Sequence, residues 1–210
     1  MRSRVALSQA LLFLALTLPA AAEDDRKLSF RHDVLPVLSK AGCNGGGCHG
    51  ALAGKGGFRL SLNAYDPATD HYNITRENRG RRIEFAAPAS SLFVTKPTAA
   101  VRHKGGKVLH ENSEAYRILT HWIQQGAPGP SDGDPTIEHV EMSPTLSQLK
   151  KGQAQQLTVR AFFSDGTERD VTRWARFAST DATVAEVNEA TGLAKVIGHG
   201  EGAVTAWYSG

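Results

Sequence analysis

The sequence predicts a multidomain chain in which a small all-α domain precedes an all-β sandwich. Three observations carry that prediction. Apolar residues recur at helical spacing near both ends of the first half of the chain. A run of Pro, Gly, Ser and Asp interrupts the chain at 127–135. Beyond Ile137 the pattern changes to strict alternation. A period near 3.6 marks helices buried on one face, and a period of 2 marks half-buried strands.

The first element is a leader. Arg2 and Arg4 precede an apolar run over 5–18, followed by Pro19 and Ala20 to Ala22, and charge resumes at Glu23. This order fits a secretory signal peptide at 1–22. A membrane anchor needs enough apolar residues to cross about 30 Å of hydrocarbon, and this run is short for that. Formal net charge is +3, or +1 without the two leader arginines. A nearly neutral chain with no Lys/Arg-rich block argues against nucleic acid as a partner. No later segment is apolar enough to span a membrane. The expected location is outside the cytoplasm, in a periplasm or at the cell surface.

Residues 23–128 form the expected helical domain. Leu28, Phe30, Val34, Leu35 and Leu38 share one helix face that ends near Gly42. Turn signals follow at Asp66-Pro67, Ala87-Pro88 and Lys96-Pro97. A second helix is expected after Asn112 as N-cap, with Glu114 in its first turn. Tyr116, Leu119, Trp122 and Ile123 give it an apolar face, and Gly126 ends it. Phe30 and Trp122 read as core. Residues 129–136 read as a linker.

The domain at 137–210 has Leu157, Val159 and Ala161 alternating with Thr158, Arg160 and Phe162. Asp165-Gly166 signals a hairpin. Short runs follow at 184–187, 193–197 and 203–208. Asp165, Asp170 and Asp181 suit turns and strand ends better than a calcium site, and Trp174 reads as core.

The chain has two cysteines, in Cys43-Asn44-Gly45-Gly46-Gly47-Cys48-His49. A covalently held haem needs two thiols for its vinyl groups and an imidazole beside the second thiol. The usual spacing is Cys-x-x-Cys-His. Here four residues separate the cysteines, three of them glycines, whose conformational freedom would let the loop bulge. Two other chemistries use the same residues. A Cys43–Cys48 disulfide suits an oxidising compartment, and Cys43, Cys48, His49 and a distant His could hold zinc. No Ser-His-Asp or paired-carboxylate arrangement marks an enzyme.

The stretch from Phe30 to Pro128 resembles the planctomycete cytochrome c-like domain. The resemblance rests on Asp33-Val34-Leu35-Pro36-Val37-Leu38, Gly42-Cys43 with Cys48-His49-Gly50, and Gly56-Gly57-Phe58-Arg59-Leu60-Ser61-Leu62. It continues through Ser90-Ser91-Leu92, Lys96-Pro97-Thr98, Tyr116 to Leu119, Trp122-Ile123 and Gly126-Ala127-Pro128. It implies one covalent haem c, with Cys43 and Cys48 as thioether donors and His49 as the proximal ligand. Many members carry Met in the loop before the last helix. Here that loop reads Val101-Arg102-His103-Lys104-Gly105-Gly106, and no Met lies between Glu23 and Glu141. His103 is therefore the candidate distal ligand and His110 the second choice; an open sixth position is the other alternative. His32, His71 and His121 read as surface or packing residues.

Residues 137–210 resemble a group 2 bacterial immunoglobulin-like domain, through Val140 to Pro144, Gln156-Leu157-Thr158-Val159, Ser164-Asp165-Gly166-Thr167, Ser179-Thr180-Asp181, Val184 to Val187 and Gly202-Ala203-Val204-Thr205. The resemblance implies one more strand after 203–208, in a longer protein or from a partner. Together the two resemblances imply an exported electron carrier with an unidentified redox partner. The alternative is a haem-based sensor or an adhesion or spacer module, touching protein or polysaccharide through the immunoglobulin-like part.

Overall fold

The computed structural model describes residues 26–208. The leader expected at 1–22 lies outside the described residues. Four α-helices are found among them: α1 (Leu35–Lys40), α2 (Pro67–Thr75), α3 (Leu92–Thr95) and α4 (Glu114–Gln124). Eight strands follow in the second half: β1 (Ile137–Ser143), β2 (Ala154–Gln156), β3 (Thr158–Phe163), β4 (Glu168–Asp170), β5 (Arg176–Ser179), β6 (Ala185–Val187), β7 (Leu193–Val196) and β8 (Val204–Trp207). The helical region thus holds few and short helices, joined by long loops.

The first helical segment opens with a π turn over Phe30–Val34 and continues into α1, with Pro36 in its first turn, where no N–H is needed. Ser29 caps the start by accepting from the His32 amide. The segment meets α4 where Phe30 packs on Trp122, ring centroids 5.5 Å apart. Both are sealed from solvent, together with Val34, Leu35, Leu119 and Ile123. The N-cap of α4 is Ser113, whose hydroxyl accepts from the Tyr116 amide. Asn112, expected as the cap, instead sits one position earlier with φ +66°. Asp66-Pro67, expected as a turn, starts α2: the Asp66 carboxylate accepts from the Thr69 amide, and Pro67 fills the first helical position. The same chemistry that makes Asp-Pro a turn former also makes it a helix start.

The strands form three small antiparallel sheets, ordered β1-β3-β4, β2-β7-β6 and β5-β8. β3 shows the alternation expected of it: Val159, Ala161 and Phe163 point inward and are buried, while Thr158 and Arg160 are exposed. With Leu157, Val171, Ala175, Phe177 and Ala194 they form a second core separate from the helical one. The β3–β4 hairpin turns at Gly166, φ +78°, with Asp165 accepting from the Thr167 amide. Asp170 and Asp181 make the same local bond to Thr172 and Thr183. β8 pairs with β5 along one edge, and no described strand pairs with its other edge.

One expectation changes at the junction of the regions. Trp174 is half-buried and packs partly on the helical core, not inside the sandwich. The segment 129–136 is also tied down along its length. The Trp122 indole donates to Pro128 O at the end of the helical region, and the Thr136 amide donates to Ser164 Oγ. Arg31 pairs with Asp134 at 3.4 Å, and the His32 ring bonds Pro135 O. Composition reports that such a segment forms no helix or strand; it does not report whether neighbours hold it.

Candidate functional site

Residues 42–50 fold as a series of tight turns immediately after α1. The Gly45 amide donates to Gly42 O, Cys48 to Gly45 O, His49 to Cys43 O and Gly50 to Gly45 O. The loop is anchored from inside by Asn44, which is 2% exposed. Its side-chain amide donates to Ser39 Oγ at 2.8 Å, and its main-chain carbonyl accepts from the Asn63 amide. Gly50 is required here: a Cβ on it would lie 2.0 Å from Asn44 O. Sequence reasoning missed Asn44, because a polar residue in a glycine-rich run reads as solvated.

Cys43 and Cys48 are both free thiols. Cys43 packs against the helical core, and its thiol is pushed up to about 12, first by burial and then by Cys48 beside it. Such a thiol is inert as a nucleophile in the folded chain.

His49 is fixed on several sides. Its amide and carbonyl are both bonded, the latter accepting from Leu60 N at 2.8 Å. Its ring Nδ1 lies 3.0 Å from Phe58 O, so Nδ1 carries the hydrogen and Nε2 keeps a lone pair. The Phe58 ring packs against it at 4.7 Å, and the Arg82 guanidinium covers Phe58 at 4.5 Å. Arg82 is itself buried, donating to Asn73 O and Gly57 O at 2.7 Å each and pairing with Glu77 at 2.9 Å. Burial lowers the His49 pKa. The Phe58 carbonyl opposes that shift, while His103 and Arg82 add to it. The balance favours the neutral ring, the form that coordinates metals.

The structure brings His103 to His49. Their ring centroids are 6.3 Å apart and their planes differ by 17°. His103 repeats the anchoring of His49: its Nδ1 donates to Gly106 O at 2.8 Å. Gly105 lies against the ring, where a Cβ would come within 2.9 Å of Cε1. The printed ring contact of each histidine runs through Nδ1, to a backbone carbonyl. A metal–imidazole bond is about 2 Å long. Since a ring nitrogen lies about 1 Å from its centroid, two imidazoles sharing one ion have centroids about 6 Å apart. The observed centroid separation, 6.3 Å, is close to that value. A backbone carbonyl on the opposite nitrogen is the usual outer partner of a ligating histidine.

The other histidines are elsewhere. His110 is exposed. His71 packs on Phe30 and Trp122 and bonds Ala127 O, and His121 pairs with Gln125. His32 is buried against Phe163. No group of three or more His, Cys, Asp or Glu among the described residues is placed to hold a bare metal ion. That geometry does not support zinc on Cys43, Cys48 and His49.

Residues 136–208 match the bacterial Ig-like domain (group 2), in agreement with the sandwich described above. The chain is also similar to Ice-binding protein 1 of Shewanella frigidimarina, 37% identical over 70 residues. The matched segment is 33% of this chain and spans 8% of the length of that relative. No described helix is long and apolar enough to cross a membrane.

Proposed function

We propose that residues 23–128 bind one haem c covalently and carry electrons outside the cytoplasm. Cys43 and Cys48 supply the two thioether bonds, His49 the proximal ligand and His103 the distal one. The single observation that carries this reading is the pair of near-parallel imidazoles at 6.3 Å, each with Nδ1 on a backbone carbonyl. When bound, the haem supplies one-electron chemistry at its iron. The protein residues do the rest. The carbonyls of Phe58 and Gly106 fix which nitrogen each histidine presents, Phe58 and Arg82 fix the His49 ring, and Asn44 holds the cysteine loop.

Export is supported by the basic-then-apolar pattern of residues 1–22 in the sequence and by the match of 136–208, a domain type that occurs in exported and surface proteins. The sandwich then acts as a spacer or contact module for protein or polysaccharide. Denaturing electrophoresis with haem staining tests covalent binding. The full chain, expressed with a haem-attachment system, stains, and the Cys43→Ala/Cys48→Ala variant does not. A double variant that stains, or a parent chain that never does, overturns the reading.

A further inference from the structure

The histidine at the junction has no part in the proposed haem site. His32 lies on the π turn before α1 and is 5% exposed. Its ring meets the edge of Phe163, the last residue of β3, at 5.0 Å and 76°. Nε2 is 2.6 Å from Pro135 O, an acceptor only, so Nε2 carries the hydrogen. Nδ1 is left as a bare lone pair, buried and without a hydrogen-bond partner. One side chain therefore touches the helical region, the connecting segment and the sandwich at once.

We propose that His32 is a pH-sensitive latch that holds the helical region against the sandwich while its ring is neutral and releases it on protonation. A second proton must go to Nδ1, where no acceptor waits, so the charged ring would be buried with an unmade bond. The charged groups facing it offer only partial relief, because burial outweighs the two carboxylates that favour the charged ring. Arg169 of β4 is a cation on the same side. Asp33, beside His32 on its own turn, is already engaged by both Arg26 nitrogens, by the Ser29 amide and by Arg169 at 3.6 Å. Asp134 of the connecting segment is held by Arg31 and the Ser131 amide. The Tyr208 phenol donates to His32 O, and burial keeps it un-ionised.

Burial is also the main cause lowering the His32 pKa, with Arg169 adding to it and the Pro135 carbonyl, Asp134 and Asp33 opposing. A ring whose pKa is depressed on docking favours the docked state above its free pKa of 6.5. That preference is lost as pH falls below 6.5, toward the depressed value. The cavity of about 770 Å³ beside the latch, lined by His32, Arg169, Asp33, Glu114, Arg173 and Tyr208, is where the two regions would part. The inference stands apart from the haem reading and uses none of its residues.

Small-angle scattering of the full chain at about pH 7.5 and about pH 5 tests it, on the parent and on His32→Gln, whose amide keeps a donor but cannot become a cation. The expected result is a larger radius of gyration for the parent at the lower pH and no change for His32→Gln. A parent of constant size, or a variant that expands equally, overturns the proposal. If His32→Gln does not fold, carbon NMR of the parent decides. Titration of the His32 ring at the same midpoint as the expansion supports the latch, and expansion with the ring still neutral overturns it.

Discussion

The helical region and the sandwich are stabilised by different means. In the sandwich, alternate residues of β3 drop Val159, Ala161 and Phe163 into one core, and backbone ladders tie β3 to β1 and β4. In the helical region the helices are short, and much of the backbone lies in loops. Those loops are held by buried polar side chains: Asn44, Arg82, and Asp70, which accepts from both the amide and the hydroxyl of Ser61. The comparison teaches that one region is fixed by pattern and the other by particular bonds. A region fixed by particular bonds can present two histidines at a set distance, at the cost of tolerating few substitutions there.

The largest effect expected is from the two cores. Trp122→Ala removes a fully buried ring that packs on Phe30, His71 and Phe93. It should cost about 3–5 kcal/mol. Phe177→Ala should cost the sandwich a similar amount, about 3–5 kcal/mol. Urea unfolding of each variant and of the pair measures how separate the cores are. Independent regions give additive costs within about 0.5 kcal/mol, whereas a coupling above that shows that the junction joins them.

Next is the loop itself. Gly50→Ala places a Cβ against Asn44 O and should lower stability by about 2 kcal/mol. The loss should fall on the helical region alone, and calorimetry that shows the sandwich melting earlier would contradict the contrast. Polar burial gives a smaller, pH-dependent effect. Burial raises the Asp70 pKa above 3.8, against the opposing Ser61 bonds. A carboxyl raised on folding binds its proton more tightly in the folded state, so its destabilising contribution at neutral pH is relieved as pH falls toward 3.8. Asp70→Asn should flatten that part of the stability profile; an unchanged profile would place the titration elsewhere. The smallest effect is Asp165→Ala, which removes two exposed turn bonds, from the Thr167 amide and hydroxyl, in the β3–β4 hairpin. It should lower the thermal midpoint only slightly, and a large drop would show that the hairpin carries more of the sandwich than its core does.

The same contrast explains what could be read in advance. The period of 2 in Leu157, Val159 and Ala161 follows from one buried face, so β3 and its core were visible in the residues alone. The apolar face of α4 was visible for the same reason. His103 was singled out through the resemblance, whose members often carry Met in the loop before α4 where this chain has none, and the structure sets its ring 6.3 Å from that of His49. Asn44, Asp70 and Arg82 were not visible. Nothing in a polar residue's neighbours in sequence says that its partners, often many positions away, will bury it. Trp174 was misplaced for a related reason: a large apolar residue signals burial, but not which core receives it. Asp66-Pro67 could have been read correctly, since Asp-x-x-Thr with Pro at the first helical position is a helix start as well as a turn.

The central claim is that His49 and His103 face one iron. Electron paramagnetic resonance of the oxidised, haem-loaded full chain tests it most directly, with His103→Ala measured alongside. The account predicts a low-spin signal for the parent and conversion to high spin in the variant, with covalent haem retained in both. A parent that is high spin, or a variant that stays low spin, would contradict it.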